Sequence, residues 1–501
     1  MAGMPDFANK MKTIKDTAYI WMTVGAVMLS SCRKFLDIEL PADKFAAEQA
    51  YQNDSSAGAV LSGILSSAAS SPIYGSPNTY DALGFTSSLY TDDLTQIQTN
   101  PLALGNSTIS LYYTNTLSSA NGIQWTLLYR QIYACNLAIE NIEKYKNRLA
   151  SYDQWMGEAL FLRAFSYFEL INLYGNVPLA LASDYNLNAK LPRSPKSEVY
   201  QQLIADLRQA EALLGNSYLD GRGNVSLNRV RPNRPAASAL LARVYLYTGN
   251  DQQAEIQAAK VIGNTAQYQL DALNSVFLAN SKETIWALAP QAPAAVRDYS
   301  LYDNGAPSIA ANQSALALLL PAAMSQGLAN SFETGDGRFD SWVTLRTTAS
   351  SPLNGKFYFP AKYRSRTNGT EFNIILRLGE QYLIRAEARA RQHNIAGAVA
   401  DLNLLRSRAR NRAIPGALPD YPVSMDQQAC LSAILKERRV ELFSEQAHRF
   451  YDLKRFGLID AIMASYAPGK GGTWESYKQL WPIPANDLEF NPNLSQTPGY
   501  R

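Results

Sequence analysis

The densest run of ionisable side chains, residues 435–457, sets Glu437, Glu441, Glu445 and Asp452 at near-helical steps. Two carboxylates facing each other across a cleft are what glycosidic bond hydrolysis uses, one as acid and one as base or nucleophile. The same run interleaves Arg438, Arg439, His448, Arg449, Lys454 and Arg455. On a single helix this spacing allows Arg438–Glu441 and Glu445–Arg449 pairs. Cationic neighbours hold carboxylates ionised, which suits structure and disfavours a general acid. Structural ion pairing is therefore the expectation. Arg406, Arg408, Arg410 and Arg412 form the densest basic cluster, but alternate spacing scatters them around a helix instead of lining one phosphate-facing stripe. Gly469-Lys470 lacks the earlier glycine of a phosphate-cradling loop, and Gly335-Asp336-Gly337-Arg338 lacks the alternating oxygen ligands of a calcium loop. The two histidines, His393 and His448, exclude a multi-histidine metal site, and three cysteines exclude a disulfide scaffold. No enzyme activity, cofactor or metal is expected.

The bulk of the chain agrees. It has 501 residues, of which 47% are hydrophobic and only 18% charged, with 29 tyrosines against 17 phenylalanines. That is a large globular protein with a neutral, phenolic surface. A net charge of +3 over this length gives no footprint for nucleic acid.

The N-terminus differs from the rest. Lys10, Lys12 and Lys15 precede an apolar run from Ala18 to Leu29, followed by Ser30-Ser31-Cys32. A bilayer span takes about 20 apolar residues, so this run is too short for one and has the charge order of a secretory signal. Leu29-Ser30-Ser31-Cys32 resembles a bacterial lipobox. Residues 1–31 are expected to be a signal peptide and Cys32 the acylated first residue of a mature chain, 32–501. Cys135 and Cys430 lie in apolar helical patterns and are expected to be free, buried thiols.

Helical periodicity dominates that mature chain. Leu160, Ala164, Tyr167, Ile171 and Tyr174 make an apolar face over Gly157–Gly175, which Gly175 closes and Pro178 keeps closed. A second helix is predicted over Ser197–Leu214. Ala236–Gly249 with Gln252–Ile262, and Gly379–Gln392 with Ile395–Arg410, repeat one plan: an alanine-rich helix, a polar turn, then a partner helix. These units resemble tetratricopeptide helix pairs of about 34 residues, irregularly spaced. Ser71–Asn121, Gly263–Asn312 and roughly Ser331–Asn373 do not read as helices. They are rich in Ser, Thr, Asn, Gly, Pro and Tyr, with β-prone pieces at Thr284–Leu288 and Phe357–Phe359. The fold class expected is mainly α, a helix-pair scaffold with long irregular insertions and a few short strands.

Taken in order, these motifs resemble the SusD/RagB family of bacterial surface lipoproteins. The resemblance is carried by Cys32 followed by Phe35-Leu36-Asp37 and Pro41, and by the helix from Glu158 to the turn at Pro178. It continues through Arg231–Asn250, Leu376–Arg410, Glu437–Arg455 and the Pro- and Asn-rich ending Leu480–Tyr500. Gln446-Ala447 departs from the Glu-Gly step usual in the family. The resemblance implies a binding protein on the outer face of the outer membrane, held there by its N-terminal lipid. As a hinged lid on a SusC-like TonB-dependent transporter, such a protein captures an oligosaccharide or, in some branches, a peptide. A surface tetratricopeptide scaffold that binds only proteins is the runner-up, and a glycan-cleaving enzyme is third.

A sugar site needs flat aromatics for the ring faces and amides or carboxylates for the hydroxyl edges. The first two irregular stretches supply Tyr90, Asp92 (with Asp93), Asn100, Tyr112, Tyr113 (with Asn115), Tyr299 and Tyr302 (with Asn304). Tyr112-Tyr113 reads as extended, so one ring is expected to pack inward and the other to remain available. A helix-pair scaffold could bring the two loops together. Glycan is favoured over peptide because these loops concentrate no charge.

Overall fold

The computed structural model describes residues 48–74, 80–97, 106–290, 295–349, 355–367 and 369–500. Cys32, Asn100 and the signal and lipobox segment lie outside the described residues.

The architecture grows outward from one helix. α5 (Tyr152–Tyr174) has every residue from Gln154 onward buried. Only one apolar face was expected. The helix is instead covered on all sides, by α1 (Asp54–Ala69), α4 (Ile123–Lys144) and α6 (Lys196–Leu213), so its polar residues need internal partners. They have them: Arg231 meets Glu158 at 2.5 Å and Arg163 meets Asp206 at 2.8 Å. Gly175, at φ +75°, ends the helix, as its position in the sequence requires.

The chain then adds helices in a continuous stack. α6 packs on α7 (Arg234–Tyr247), α7 on α8 (Asp251–Gly263), and α8 on α10 (Leu378–Arg391). α10 in turn packs on α11 (Ile395–Ala409) and α12 (Gln427–Leu442). Close approach rests on small side chains: Ala236, Ala237, Ala239 and Ala242 in α7, and Ala386, Ala388 and Ala390 in α10, are fully buried. The two predicted turns share a device. Gly249 and His393 take left-handed φ of +73° and +63°, and the next residue, Asn250 or Asn394, caps the following helix with its side-chain oxygen. The expected helix-pair scaffold is present, with boundaries shifted by at most five residues.

The expectation of one helix through Glu437–Arg455 is corrected. The run divides into α12 and α13 (His448–Arg455), with Ser444 and Gln446 at φ +59° and +46°. The break lets this turn pack on α2 (Leu83–Tyr90). A Cβ on Gly84 would stand 2.5 Å from the Ser444 carbonyl, and the Ser87 hydroxyl donates to the Gln446 carbonyl at 3.0 Å. The irregular stretches also hold short helices that periodicity did not reveal: α2, α3 (Asn106–Tyr113) and α9 (Arg297–Tyr302).

Strands are few and short. β1 (Leu94–Gln96) pairs antiparallel with β4 (Ala322–Met324). β2 (Thr284–Leu288), buried along its length, pairs antiparallel with β7 (Asn373–Arg377). β5 (Val343–Thr348) sits between β6 (Lys356–Pro360), antiparallel, and β3 (Ile309–Ala310), parallel. Both β-prone pieces read from the sequence are strands. Cys135 and Cys430 are free and buried.

Candidate functional site

The three irregular stretches, far apart in sequence, meet at α9. From the first, Phe85 lies 5.9 Å from the Tyr302 ring, and the Tyr80 ring lies 5.6 Å from the Arg297 guanidinium. From the third, the Arg366 guanidinium sits 5.6 Å from the Tyr299 ring and its Nε donates to the Tyr299 hydroxyl. Arg346, on β5, pairs with Asp303 at 3.1 Å, just where Asn304 and Gly305 turn the chain with positive φ. The result is a surface of half-buried Tyr80 and exposed Arg366 standing on a buried base of Phe85 and Tyr302. Rings and fixed N–H donors side by side can hold a polar ring-shaped ligand.

The residues singled out from sequence divide sharply. Tyr90 is fully buried among Phe450, Trp474 and Trp481, and its hydroxyl donates to the Lys478 carbonyl. Asp92 is buried and accepts two hydrogen bonds from Arg449, at 2.8 and 2.9 Å, with Arg439 also at 2.9 Å. Burial alone would raise its pKa, but the two guanidinium groups together hold it below the usual carboxylate value. Tyr112 packs on Trp481 and shares a hydrogen bond with Gln124; Tyr302 is 2% exposed. These four are corrected: they are core and ion-pair residues and cannot meet a ligand from solvent. Tyr113 is half-buried beneath the Lys470 ammonium, 5.0 Å from its ring centre. Tyr112 and Tyr113 do divide into an inward and a more open ring, but on a helix and not in an extended strand. Tyr299 stands with Tyr302 at the junction of loops; it too is buried, at 7% exposed, but its ring and hydroxyl meet the exposed Arg366. Sequence reasoning missed Tyr80, Arg297, Arg346 and Arg366. It searched for aromatics beside amides and carboxylates, and nothing local announces an arginine whose aromatic partner is 67 residues away.

The carboxylates of the charged run offer no acid–base pair. Glu441 accepts from Arg377 at 2.7 Å, Arg338 at 2.9 Å and Arg408 at 2.5 Å; Glu445 accepts from Arg377 and Lys362. Burial pushes the Glu441 pKa up, and the Arg408, Arg377 and Arg338 charges overcome it to leave the carboxyl well below its usual range. The expected ion pairing is there, but its partners are tertiary. Arg438 binds Asp452 and Arg449 binds Asp92, not the near neighbours expected on one helix. Asp336 of the superficially calcium-like turn is buried against Arg338 at 2.7 Å. Among the described residues no group of three His, Cys, Asp or Glu is placed to hold a metal ion.

A second concavity, about 390 Å³, lies on the outer side of α4, lined by Trp125, Tyr129, Tyr133, Tyr185 and Phe490. Tyr185 and Phe490 are 74% and 75% exposed, an apolar display left uncovered by the described residues.

Stacked helix pairs carrying three insertions that join at one surface define a helical scaffold with a loop-built face. Comparison with known proteins agrees. A SusD-like family model described as "Starch-binding associating with outer membrane" matches residues 76–246, and the model of the SusD family matches 341–500. The chain belongs to the SusD family. SusD-like protein P2 of Formosa agariphila is 26% identical, over 77% of this chain and 82% of its own. Among solved structures, a SusD homolog from Bacteroides thetaiotaomicron superposes with a TM-score of 0.73 at 19% identity, covering 91% of this chain and 99% of that one. A laminarin-binding SusD-like protein does so with a TM-score of 0.72 at 23% identity, covering 90% of this chain and 100% of that one. These likenesses establish the fold.

Proposed function

We propose that this protein is a glycan-binding lipoprotein of the outer membrane, not an enzyme, and that it captures oligosaccharides for a SusC-like TonB-dependent transporter. The observation that carries the reading is the convergence of three insertions at α9 within a SusD-family scaffold. The family description of starch binding at the outer membrane and the laminarin-binding structural neighbour support the ligand class. Residues 1–31 act as the signal, and Cys32 carries the lipid. No described helix is long and apolar enough to cross a membrane, in keeping with attachment through a lipid. Of the residues first named, Tyr113 and Tyr299 remain ligand candidates, joined by Tyr80 and Arg366. The exposed rings of Tyr133, Tyr185 and Phe490 offer the scaffold an apolar contact for the transporter.

A second reading, capture of oligopeptides, draws on Arg297, Arg346 and Arg366 at the same junction, since guanidinium groups suit a peptide carboxylate. Calorimetry of the purified protein with laminarin and starch oligosaccharides, and with peptides of equal length, separates the two. Binding of a glycan and no peptide is expected; peptide binding alone reverses the assignment.

A further inference from the structure

Most buried cations of this protein have a carboxylate partner. Lys362 meets Glu445 at 2.6 Å, and Arg243 meets Glu380 at 2.7 Å. Lys454 on α13 is different. It is half-buried, its ammonium donates to the carbonyls of Asn172 and Gln479, which carry no net charge, and it has no ion pair among the described residues. The neighbouring charge is another ammonium, Lys196, at the start of α6, whose field acts on Lys454. Lys196 Nζ lies 5.4 Å from the Tyr200 ring centre and has no hydrogen-bond or ion-pair partner among the described residues.

Both lysines line one cavity of about 580 Å³, and no carboxylate lines it. Its third cation, Arg455, is already neutralised by Glu387 and by Asp452 at 2.8 Å. Tyr247 also lines the cavity, and its buried hydroxyl has no hydrogen-bond partner among the described residues. Burial first, and the Lys196 charge second, pull the Lys454 ammonium well below the ordinary lysine value. Two half-buried cations lining one cavity without a counter-ion repel each other, and an anion between them removes that cost. The volume suits a small molecule, and the Tyr200 and Tyr477 rings on the wall supply faces for a sugar ring.

We propose that this cavity is an oxyanion site, in which Lys196 and Lys454 bind a carboxylate or sulfate group, free or carried on a sugar ring. The site is built on α5, α6, α7, α13 and the segment after Glu475, apart from the α9 junction, so it does not depend on the glycan reading made there.

The test is calorimetry on the detergent-solubilised full chain at fixed ionic strength, with glucuronic acid, inorganic sulfate and glucose as probes. Glucuronate or sulfate is expected to bind, and glucose to give no signal that Lys196→Gln removes. Lys196→Gln, at the start of a helix, should keep the fold and weaken the anion at least tenfold. Lys454→Gln should do the same if it folds. Lys190→Gln, at an exposed lysine outside both this cavity and the α9 junction, should leave anion affinity unchanged. Sulfate binding without glucuronate identifies a free anion as the source, and glucuronate without sulfate an acidic sugar; either supports the site. Binding of neither anion, or unchanged affinity in folded Lys196→Gln, overturns it.

Discussion

Arg377, the last residue of β7, holds Glu441 at 2.7 Å and Glu445 at 2.8 Å, fastening a strand to the end of α12 and the turn that follows. Arg338 and Arg408 reach Glu441 from two further elements. Replacing Glu441 by Gln leaves three buried guanidinium groups short of a charge. Breaking such a pair costs about 3–5 kcal/mol. Urea unfolding should show a loss of that order. The Glu441 carboxyl is held below its value in the unfolded chain, about 4.3. Its contribution is therefore complete above that value and is lost as pH falls through the lower, folded value. Glu441→Gln should flatten the acid side of the stability curve; an unchanged midpoint and acid limb would show the network to be dispensable.

What could be read from the sequence was local. Gly175, Gly249-Asn250 and His393-Asn394 end or restart helices through their own backbone and capping chemistry, so those boundaries were legible. The all-round burial of α5 was not, because it follows from what packs against the helix. The break at Ser444 and Gln446 carries no glycine or proline; the close approach of Gly84 selects it. At the site, composition identified the three irregular stretches and pointed to a meeting of the first two; that the third joins them, through Arg346 and Arg366, was not legible. It misassigned Tyr90, Tyr112 and Tyr302 because eight- and six-residue helices are too short to show a period, and their tyrosines turn into the core.

Glu169 gives the opposite pH signature. Burial raises its pKa to about 7, against the lowering effect of the Tyr451 hydroxyl, which donates to it at 2.6 Å. An acid whose folded value is raised costs no stability below the unfolded value near 4.3. Stability then declines as pH rises between the two values, and levels off above 7. At about 1.4 kcal/mol per unit, the decline is roughly 4 kcal/mol. Glu169→Gln should remove this slope, making the variant relatively more stable at pH 8 than at pH 5. Chemical denaturation at those two pH values decides it; parallel behaviour of variant and parent would refute the raised pKa.

Anchoring is tested at Cys32. On the proposed function, loss of its sulfur removes the attachment point of the lipid, whose acyl chains contribute about 0.8 kcal/mol per buried methylene. Cys32→Ala should abolish incorporation of labelled palmitate and move the protein out of the membrane fraction. Retention in the membrane without label would mean that the chain is held by another route.

The binding face can be dissected because its residues differ in what they support. Arg366 is exposed and its guanidinium is placed by the Tyr299 ring and hydroxyl; Tyr80 is half-buried over Arg297. An aromatic face contributes about 0.5–1.5 kcal/mol beyond burial, up to roughly tenfold in affinity. Tyr80→Ala should weaken the bound oligosaccharide by up to that factor with little change in melting temperature. Arg366→Ala should weaken it similarly by removing a fixed donor. Tyr299→Phe keeps the ring but frees the guanidinium, so its effect should be smaller than that of Arg366→Ala. Tyr112→Phe, in the core, should lower stability through the lost Gln124 hydrogen bond and leave affinity alone. Calorimetry and thermal melting on all four variants separate the two kinds of residue. If Tyr80, Tyr299 and Arg366 variants all bind as the parent does while Tyr113→Ala loses affinity, the platform lies on α3 beside Lys470 and not at α9.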